Sequence, residues 1–218
     1  MERNLSTIIY NKMKTNFLRK QTVSVLLFAF MMVGTLLNAQ TLTIKSYTLT
    51  AHGETNMKGH DFTTKVTQLT GTMTVTDNRP QSLTVEIPVR SLNNGNRVMD
   101  NKTHDAFDPS KNPTIHFTMT EMNSLQVEDD QLAVTVTGNL SMGGETKKVT
   151  LKATGKEVSP GVYTFQGTQP IKMSDFGMKA PTAMMGTLKV KDDVTVNYRV
   201  TFEGAVVNFN AKEYTQNN

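Results

Sequence analysis

VTVNYRVTFE, residues 194–203, places Val194, Val196, Tyr198, Val200 and Phe202 at every second position, with Thr195, Asn197, Arg199, Thr201 and Glu203 between them. Successive side chains of an extended chain point to opposite faces, so this stretch predicts a strand with one apolar and one polar face. The same period recurs in Leu83, Val85, Ile87 and Val89, in Ile115, Phe117 and Met119, and in Leu132, Val134 and Val136. It also runs through Tyr47, Leu49 and Ala51, through Met73 and Val75, and through Val149, Leu151 and Ala153. Threonine fills many of the polar positions, as suits a β-branched side chain on a pleated surface. Turn formers punctuate the runs at Asn78-Arg79-Pro80, Gly143-Gly144, Ser159-Pro160-Gly161 and Asp192-Asp193, which predicts short connections and an antiparallel meander.

A meander of this length must protect its edges, and closure into a barrel removes them altogether. At about eight strands a barrel interior is either filled by side chains or wide enough for one small ligand. A two-sheet sandwich is the competing architecture. Residues 91–112 break the period: Val98, Met99, Ala106 and Phe107 stand among polar residues and Pro109 stops any helix. A short helix or an ordered loop crossing one end of the sheet is predicted there, as a plug over the core or a lid over a ligand. Ten of the 14 Met fall after residue 39. Met adapts to irregular apolar space, whether as core filler or as cavity wall.

The 218-residue chain is 37% hydrophobic and 19% charged, which excludes disordered, collagenous and coiled-coil classes. Its formal charge of +4 is concentrated at one end. Five of the 23 basic residues but one of the 19 acidic residues precede residue 40, leaving 18 of each beyond it. Lys12, Lys14, Arg19 and Lys20 lead into the uncharged run TVSVLLFAFMMVGTLL (22–37), followed by Asn38, Ala39 and Gln40. That is the pattern of a secretory signal peptide, and cleavage after Ala39 is expected. The run is shorter than the roughly 20 residues that span a bilayer. An uncleaved anchor is the alternative, and Met13 is an alternative start.

The expected organisation is therefore a signal peptide over 1–39, one barrel domain over 40–218, and residence in the periplasm or outside the cell. Removing the basic leader leaves a neutral domain and no argument for a nucleic-acid partner. Cysteine is absent, so disulfides, thiol nucleophiles and thiolate metal sites are excluded.

No constellation of catalytic residues emerges. His52, His60, His104 and His116 lack metal-ligand spacing, and no metal or cofactor is expected. His60-Asp61 and His104-Asp105 are adjacent pairs, and neighbours on a strand face opposite sides. Asp129-Asp130 and Asp192-Asp193 lack the spacing of a calcium loop. Lys147-Lys148 reads as a surface pair, and no Gly-rich loop precedes a helix to cradle phosphate.

Four segments in order, GETNMKGHDFTTKV (53–66), VEIPVRSLNNGNRVMDNKTHDAFDPSKNPTIHF (85–117), VTGNLSMGGETKKVTL (136–151) and IKMSDFGMKAPTAMMGTLKVKDDVTV (171–196), resemble the YceI-like family over essentially the whole of the chain beyond residue 39. Ser91, Leu92, Gly95 and Asp100 match the start of that family's connecting segment, and Pro113-Thr114-Ile115 with Phe117 match the strand after it. Gly138, Leu140, Gly144, Thr146, Lys147, Val149 and Leu151 match its hairpin. Asp175, Phe176 and Gly177 match a turn near the barrel mouth.

The resemblance implies an exported bacterial protein with a single, all-β, antiparallel eight-stranded barrel of lipocalin-like shape. It also implies a polyisoprenoid chain, such as a quinone tail or a polyprenyl lipid, enclosed along the barrel axis. Departures are Asn93-Asn94 for a frequent Asp-Thr, Asn112 for a frequent Tyr and Phe62 for a frequent Trp, all expected near the mouth and wall.

The function expected is non-catalytic lipid binding for transport, storage or stress protection. Common strand phase selects Val85, Ile87, Phe117, Met119, Val134, Val136, Met173, Phe176, Val196, Tyr198 and Val200 as ligand-binding wall, with Asp175 and residues 93–100 at the rim. The partner is an isoprenoid lipid or quinone; a transient membrane-surface contact and a homodimer are left open. Two other classes remain: an envelope interaction module whose barrel is simply full, and an enzyme acting on a hydrophobic substrate through a His-Asp pair.

Overall fold

Alternation becomes eleven strands in the computed structural model, which describes residues 39–209. The predicted signal segment up to Asn38 and the alternative start at Met13 lie outside the described residues. In chain order the elements are β1 (Gln40–Thr55), β2 (Phe62–Val66), β3 (Thr70–Thr76), β4 (Arg79–Pro88), β5 (Leu92–Asn93), α1 (Arg97–Phe107), β6 (Thr114–Glu128), β7 (Gln131–Met142), β8 (Glu145–Ser159), β9 (Val162–Lys172), β10 (Thr182–Ala183) and β11 (Leu188–Gly204). Eight of them form an antiparallel ring in the order β1, β3, β4, β6, β7, β8, β9, β11. The ring closes where β11 returns to β1, paired from Leu42 opposite Gly204 to Thr55 opposite Val190 with register shifts between Ile44 and Ser46 and between Gly53 and Thr55. The short strands are accessory: β2 extends from the far half of β1, β5 adds to β2, and β10 adds to β11.

Tight turns connect the ring. Asp77-Asn78, Asp129-Asp130 and Gly143-Gly144 all have positive φ, the two-residue geometry whose twist matches that of the flanking strands. Two sequence expectations are corrected here. Arg79 and Pro80 already belong to β4, and the turn is Asp77-Asn78. Asp192-Asp193 is no turn at all but lies inside β11. There the Asp192 carboxylate accepts hydrogen bonds from the backbone N–H and hydroxyl of Ser174, at 2.7 and 2.5 Å. These bonds hold the Asp192 carboxyl below its usual range and supply a polar strand position with partners.

Both ends of the barrel are stoppered. At one end α1 is started by Asn96, whose side chain accepts from the N–H groups of Val98 and Met99 at 2.9 and 3.3 Å. It stops at Asp108, in the left-handed region. Ala106 and Phe107 pack with Val89, Leu92, Ile115 and Met142, and a 3-10 turn at Met173–Phe176 adds Met173 and Phe176 to the same cluster. At the opposite end the segment after β11 folds in. The Tyr163 hydroxyl donates to the Val207 carbonyl at 2.9 Å and accepts from the Val207 N–H at 2.6 Å. Phe209 meets Tyr163 edge to face at 5.1 Å between ring centres. Burial pushes the Tyr163 hydroxyl pKa up.

Tyr163→Phe keeps the ring and leaves the Val207 N–H without its partner, while the Val207 carbonyl keeps only the Phe209 N–H at 3.2 Å. An unpaired buried polar group costs about 1–3 kcal/mol, and for a domain of this size each kcal/mol moves Tm by about 2–4 °C. Calorimetry is expected to show Tm lowered by several degrees; an unchanged Tm would show that this stopper does not hold the barrel.

Candidate functional site

Between the two stoppers the inward faces do not fill the barrel. A cavity of about 230 Å³ remains. Its lining runs from Ile115 and Met142 at the helix-covered end to Leu125, Phe202 and Phe209 at the other. For comparison, an apolar cavity of about 150 Å³ stays dry and takes up benzene.

Nine residues selected from strand phase face this cavity: Val85, Ile87, Phe117, Met119, Val134, Val136, Val196, Tyr198 and Val200. Met173 and Phe176 do not. They belong to the 3-10 turn after β9, where strand alternation has ended, and are buried in the end cluster instead. Asp175 is exposed beside them.

Residues 93–100 form a brace for α1 at the helix-covered end. The Asp100 carboxylate accepts from the Asn94 backbone and side-chain amides at 2.5 and 3.1 Å, while Asn94 also joins Thr64 and Thr103 at 2.5 and 3.0 Å. None of Phe62, Asn93, Asn94 and Asn112 lines the cavity. The departures noted in the sequence therefore shape the end cap and leave the cavity wall alone.

The void exists because large rings lie flat. Phe62, Phe165 and Tyr198 stand directly across a strand pair from Gly53, Gly155 and Gly167, and a Cβ built on any of those glycines would collide with the ring opposite. The absent side chain lets each ring fold against the wall, and Phe165 and Tyr198 thereby line the cavity without filling it. Phe117 lies against Gly138 in the same way, 2.5 Å from where its Cβ would be.

The lining is almost free of polar groups. Among the described residues that line the cavity, the one side-chain amide belongs to Gln169 and the one hydroxyl to Tyr198. The Tyr198 hydroxyl donates to the Lys152 carbonyl at 2.9 Å, and burial pushes its pKa up. Gln169 donates to the Pro170 carbonyl at 3.0 Å. None of the described residues that line the cavity is charged, so the wall offers apolar contact and desolvation.

The His-Asp pairs lie elsewhere. His104 is on α1, with Nε2 2.9 Å from the Leu92 carbonyl oxygen. His60 and Asp61 are exposed and border a separate recess with Phe62 and Met99. Among the described residues no group of three His, Asp or Glu could hold a metal ion.

Strand phase selected nine of the lining residues and left others out, Met122 among them for a clear reason. Pairing of β6 with β7 slips between Met119 and Glu121 and again between Met122 and Ser124. Each bulge adds one residue and returns the next apolar side chain to the interior. Met119, Met122 and Leu125 consequently all line the cavity at intervals of three, a spacing that imitates a helix. Gln169 was hidden differently, as a polar residue in the inward phase.

A family model of the YceI-like domain matches residues 38–202. The chain belongs to the YceI-like family. A UPF0312 protein of Pseudomonas aeruginosa is 32% identical over 118 residues, 50% of this chain and 59% of that protein. This chain thus spans less than two thirds of the P. aeruginosa relative. A UPF0312 protein of Pseudomonas syringae pv. tomato is 30% identical over 143 residues, 62% of this chain and 68% of that one.

Solved structures of similar fold include a polyisoprenoid binding domain from Saccharophagus degradans, with TM-score 0.60 and 16% identity over 76% of this chain and 98% of that one. Another is BcnA of Burkholderia cenocepacia, with TM-score 0.56 and 18% identity over 71% and 95%. At these identities the likeness is one of fold. The YceI-like barrel described here is thus a family architecture whose cavity is lined by this chain's own side chains.

Gly155→Ala tests how the void is kept open. The new methyl forces the Phe165 ring off the wall and into the cavity, at a cost of about 1–3 kcal/mol for overpacking. The variant is expected to melt at lower temperature and to bind less of a small apolar probe such as benzene. Unchanged probe binding would mean that the glycine does not hold the space.

Proposed function

We propose that this protein is an exported, non-catalytic lipid-binding barrel that holds a polyisoprenoid or isoprenoid-quinone tail in its central cavity, for transport, storage or stress protection. One observation carries the reading: a cavity of about 230 Å³ whose lining holds a single amide and a single, already bonded hydroxyl. An isoprenoid tail has no hydrogen-bonding group and needs none from its host. Each CH₂ withdrawn from water contributes about 0.8 kcal/mol. A bilayer is as apolar as the cavity, so removal of the chain from a membrane depends on packing against the wall and on contacts at the polar end. The polyisoprenoid binding described for the S. degradans domain supports the same reading by analogy of fold. Export rests on the leader pattern of residues 12–39.

Native mass spectrometry of the protein from its own cell envelope, before and after solvent extraction, is the direct test. A bound neutral apolar molecule, lost on extraction and regained from added prenol, is expected. An extracted protein that takes up no prenol would instead favour a barrel whose role is to bind other proteins.

Two substitutions refine the test. Val196→Asp sets a carboxylate in the apolar wall and is expected to abolish uptake. Because that change also destabilises the fold, Ala153→Leu serves beside it: it fills cavity space with apolar atoms and is expected to reduce uptake at least tenfold with Tm maintained or raised. Full uptake by Ala153→Leu would place the ligand elsewhere.

A further inference from the structure

Strands β8 and β9 pair from Ser159 opposite Val162 to Ala153 opposite Gly167, and there the ladder stops. Neither strand stops. β8 stays paired with β7 as far as Glu145, and β9 with β11 as far as Lys172. The same register, continued, would set Lys152 opposite Thr168, Leu151 opposite Gln169, Thr150 opposite Pro170, Val149 opposite Ile171 and Lys148 opposite Lys172. These five missing rungs, at about 3.3 Å each, leave a slit about 16 Å long.

Its causes are local. Pro170 has no N–H to donate. Lys148 and Lys172 would meet as like charges. The Tyr198 ring lies over Gly167, and its hydroxyl occupies the Lys152 carbonyl at 2.9 Å, an acceptor at the first missing rung. Above the slit the Met173–Phe176 turn closes it like a lintel, tied to β11 through Ser174 and Asp192, with Met178 packed on the Gly143 turn.

The slit leads inside. A recess over it is bordered by Lys147, Val149, Pro170, Ile171, Phe176 and Asp193, and Val149 and Ile171 also line the cavity. Val149, Leu151 and Ile171 are only half-buried although their phase is inward. The ladder between β4 and β6 also ends early, beyond Thr84 opposite Thr118; Leu83 and Met122 are half-buried there, but Pro80, Met119 and Leu125 beside them are buried. With both barrel ends stoppered, the β8–β9 slit is a stretch of wall where every lining side chain, Val149, Leu151, Gln169 and Ile171, is only half-buried.

The charges at its lip are uneven. Lys172 pairs with Asp193 at 3.6 Å, and Asp175 stands in the same recess. Lys147 and Lys148 have no carboxylate within ion-pair distance among the described residues. Lys147 follows the inward phase of Val149 and Leu151.

We propose that the apolar chain enters and leaves sideways, through the parted β8–β9 seam, with an anionic headgroup such as a phosphate ester held at the lip by Lys147 and Lys148. The inference rests on the lipid-binding reading and specifies its route and polar end. Tyr198, bonded to Lys152, is the latch at the foot of the slit.

The absence of cysteine makes a disulfide staple clean. Thr150→Cys with Pro170→Cys spans the slit, and its oxidation draws the strands to within about 7 Å between Cα atoms. A control pair, Lys65→Cys with Asn93→Cys, joins β2 to β5 at the helix-covered end. Oxidation across the slit is expected to slow uptake of radiolabelled geranylgeraniol at least tenfold, reversed by dithiothreitol, while the control staple changes it less than twofold. Unchanged uptake with the slit stapled, or equal slowing by the control, overturns the route. No uptake by the unsubstituted protein overturns the lipid-binding reading and the route with it.

Tyr198→Phe needs no staple to form and is expected to speed release of preloaded probe several-fold; unchanged release overturns the latch. For the headgroup, geranylgeranyl monophosphate is expected to bind at least fivefold tighter than geranylgeraniol, and Lys147→Glu with Lys148→Glu to remove that preference. Equal binding of the two probes by the unsubstituted protein overturns the headgroup assignment. So does competition by inorganic phosphate as strong as that of the ester, which would mark a free-phosphate site.

Discussion

Pairing of the first ring strand with the last is the constraint on which the rest of this molecule depends. β1 and β11 run together over almost their whole lengths, and without that ladder the meander would present two long unpaired edges. Closure does more than remove edges. It converts the apolar face of every strand into the inner surface of a single enclosed volume, so the packing question becomes whether that volume is filled. With eight strands the answer lies at the boundary between a packed core and a ligand cavity. Here the glycines opposite Phe165 and Tyr198 tip it toward a cavity, by letting the rings lie along the wall.

The same closure governs access. A ring of strands has two natural mouths, and both are occupied by the chain itself, one by α1 with the Met173–Phe176 turn and the other by the Val207–Phe209 segment locked onto Tyr163. A cavity stoppered at both ends exchanges its contents only through motion of a stopper or through the wall. The wall is weakest where hydrogen bonds are missing, and Pro170, the Lys148–Lys172 juxtaposition and the Tyr198 ring remove them from one stretch of one seam. Access and containment therefore draw on the same feature: β8 and β9 are each secured by their outer neighbours, so parting them does not open the barrel.

Electrostatics plays a small part inside and a larger one outside. Among the described lining residues the one ionisable group is Tyr198, whose hydroxyl pKa burial pushes further up. The described charged residues lie on the outer faces and the lip, where exposed pairs such as Lys45 with Glu203 and Lys191 with Glu54 contribute little stability. A host built this way discriminates by shape and by the absence of polar groups, and charge selection is left to the rim.

Much of this was legible in the residues alone. Period-two alternation from Tyr47 to Phe202, punctuated by Gly143-Gly144 and Pro160-Gly161, determined a strand-only wall, the inward phase and nine of the cavity's lining residues, because the two-fold alternation of an extended backbone is a local property. Only the tertiary structure decided what depends on partners far along the chain. The two bulges of β6 arise from its pairing with β7: the first turns Met122 inward against the sequence period, and the second restores the period at Leu125. Met173 and Phe176 fall outside the cavity because the chain leaves the sheet there to stopper its end. The existence of the void depends on which ring meets which glycine across a strand pair, and that is set by register between strands, a quantity no single strand encodes.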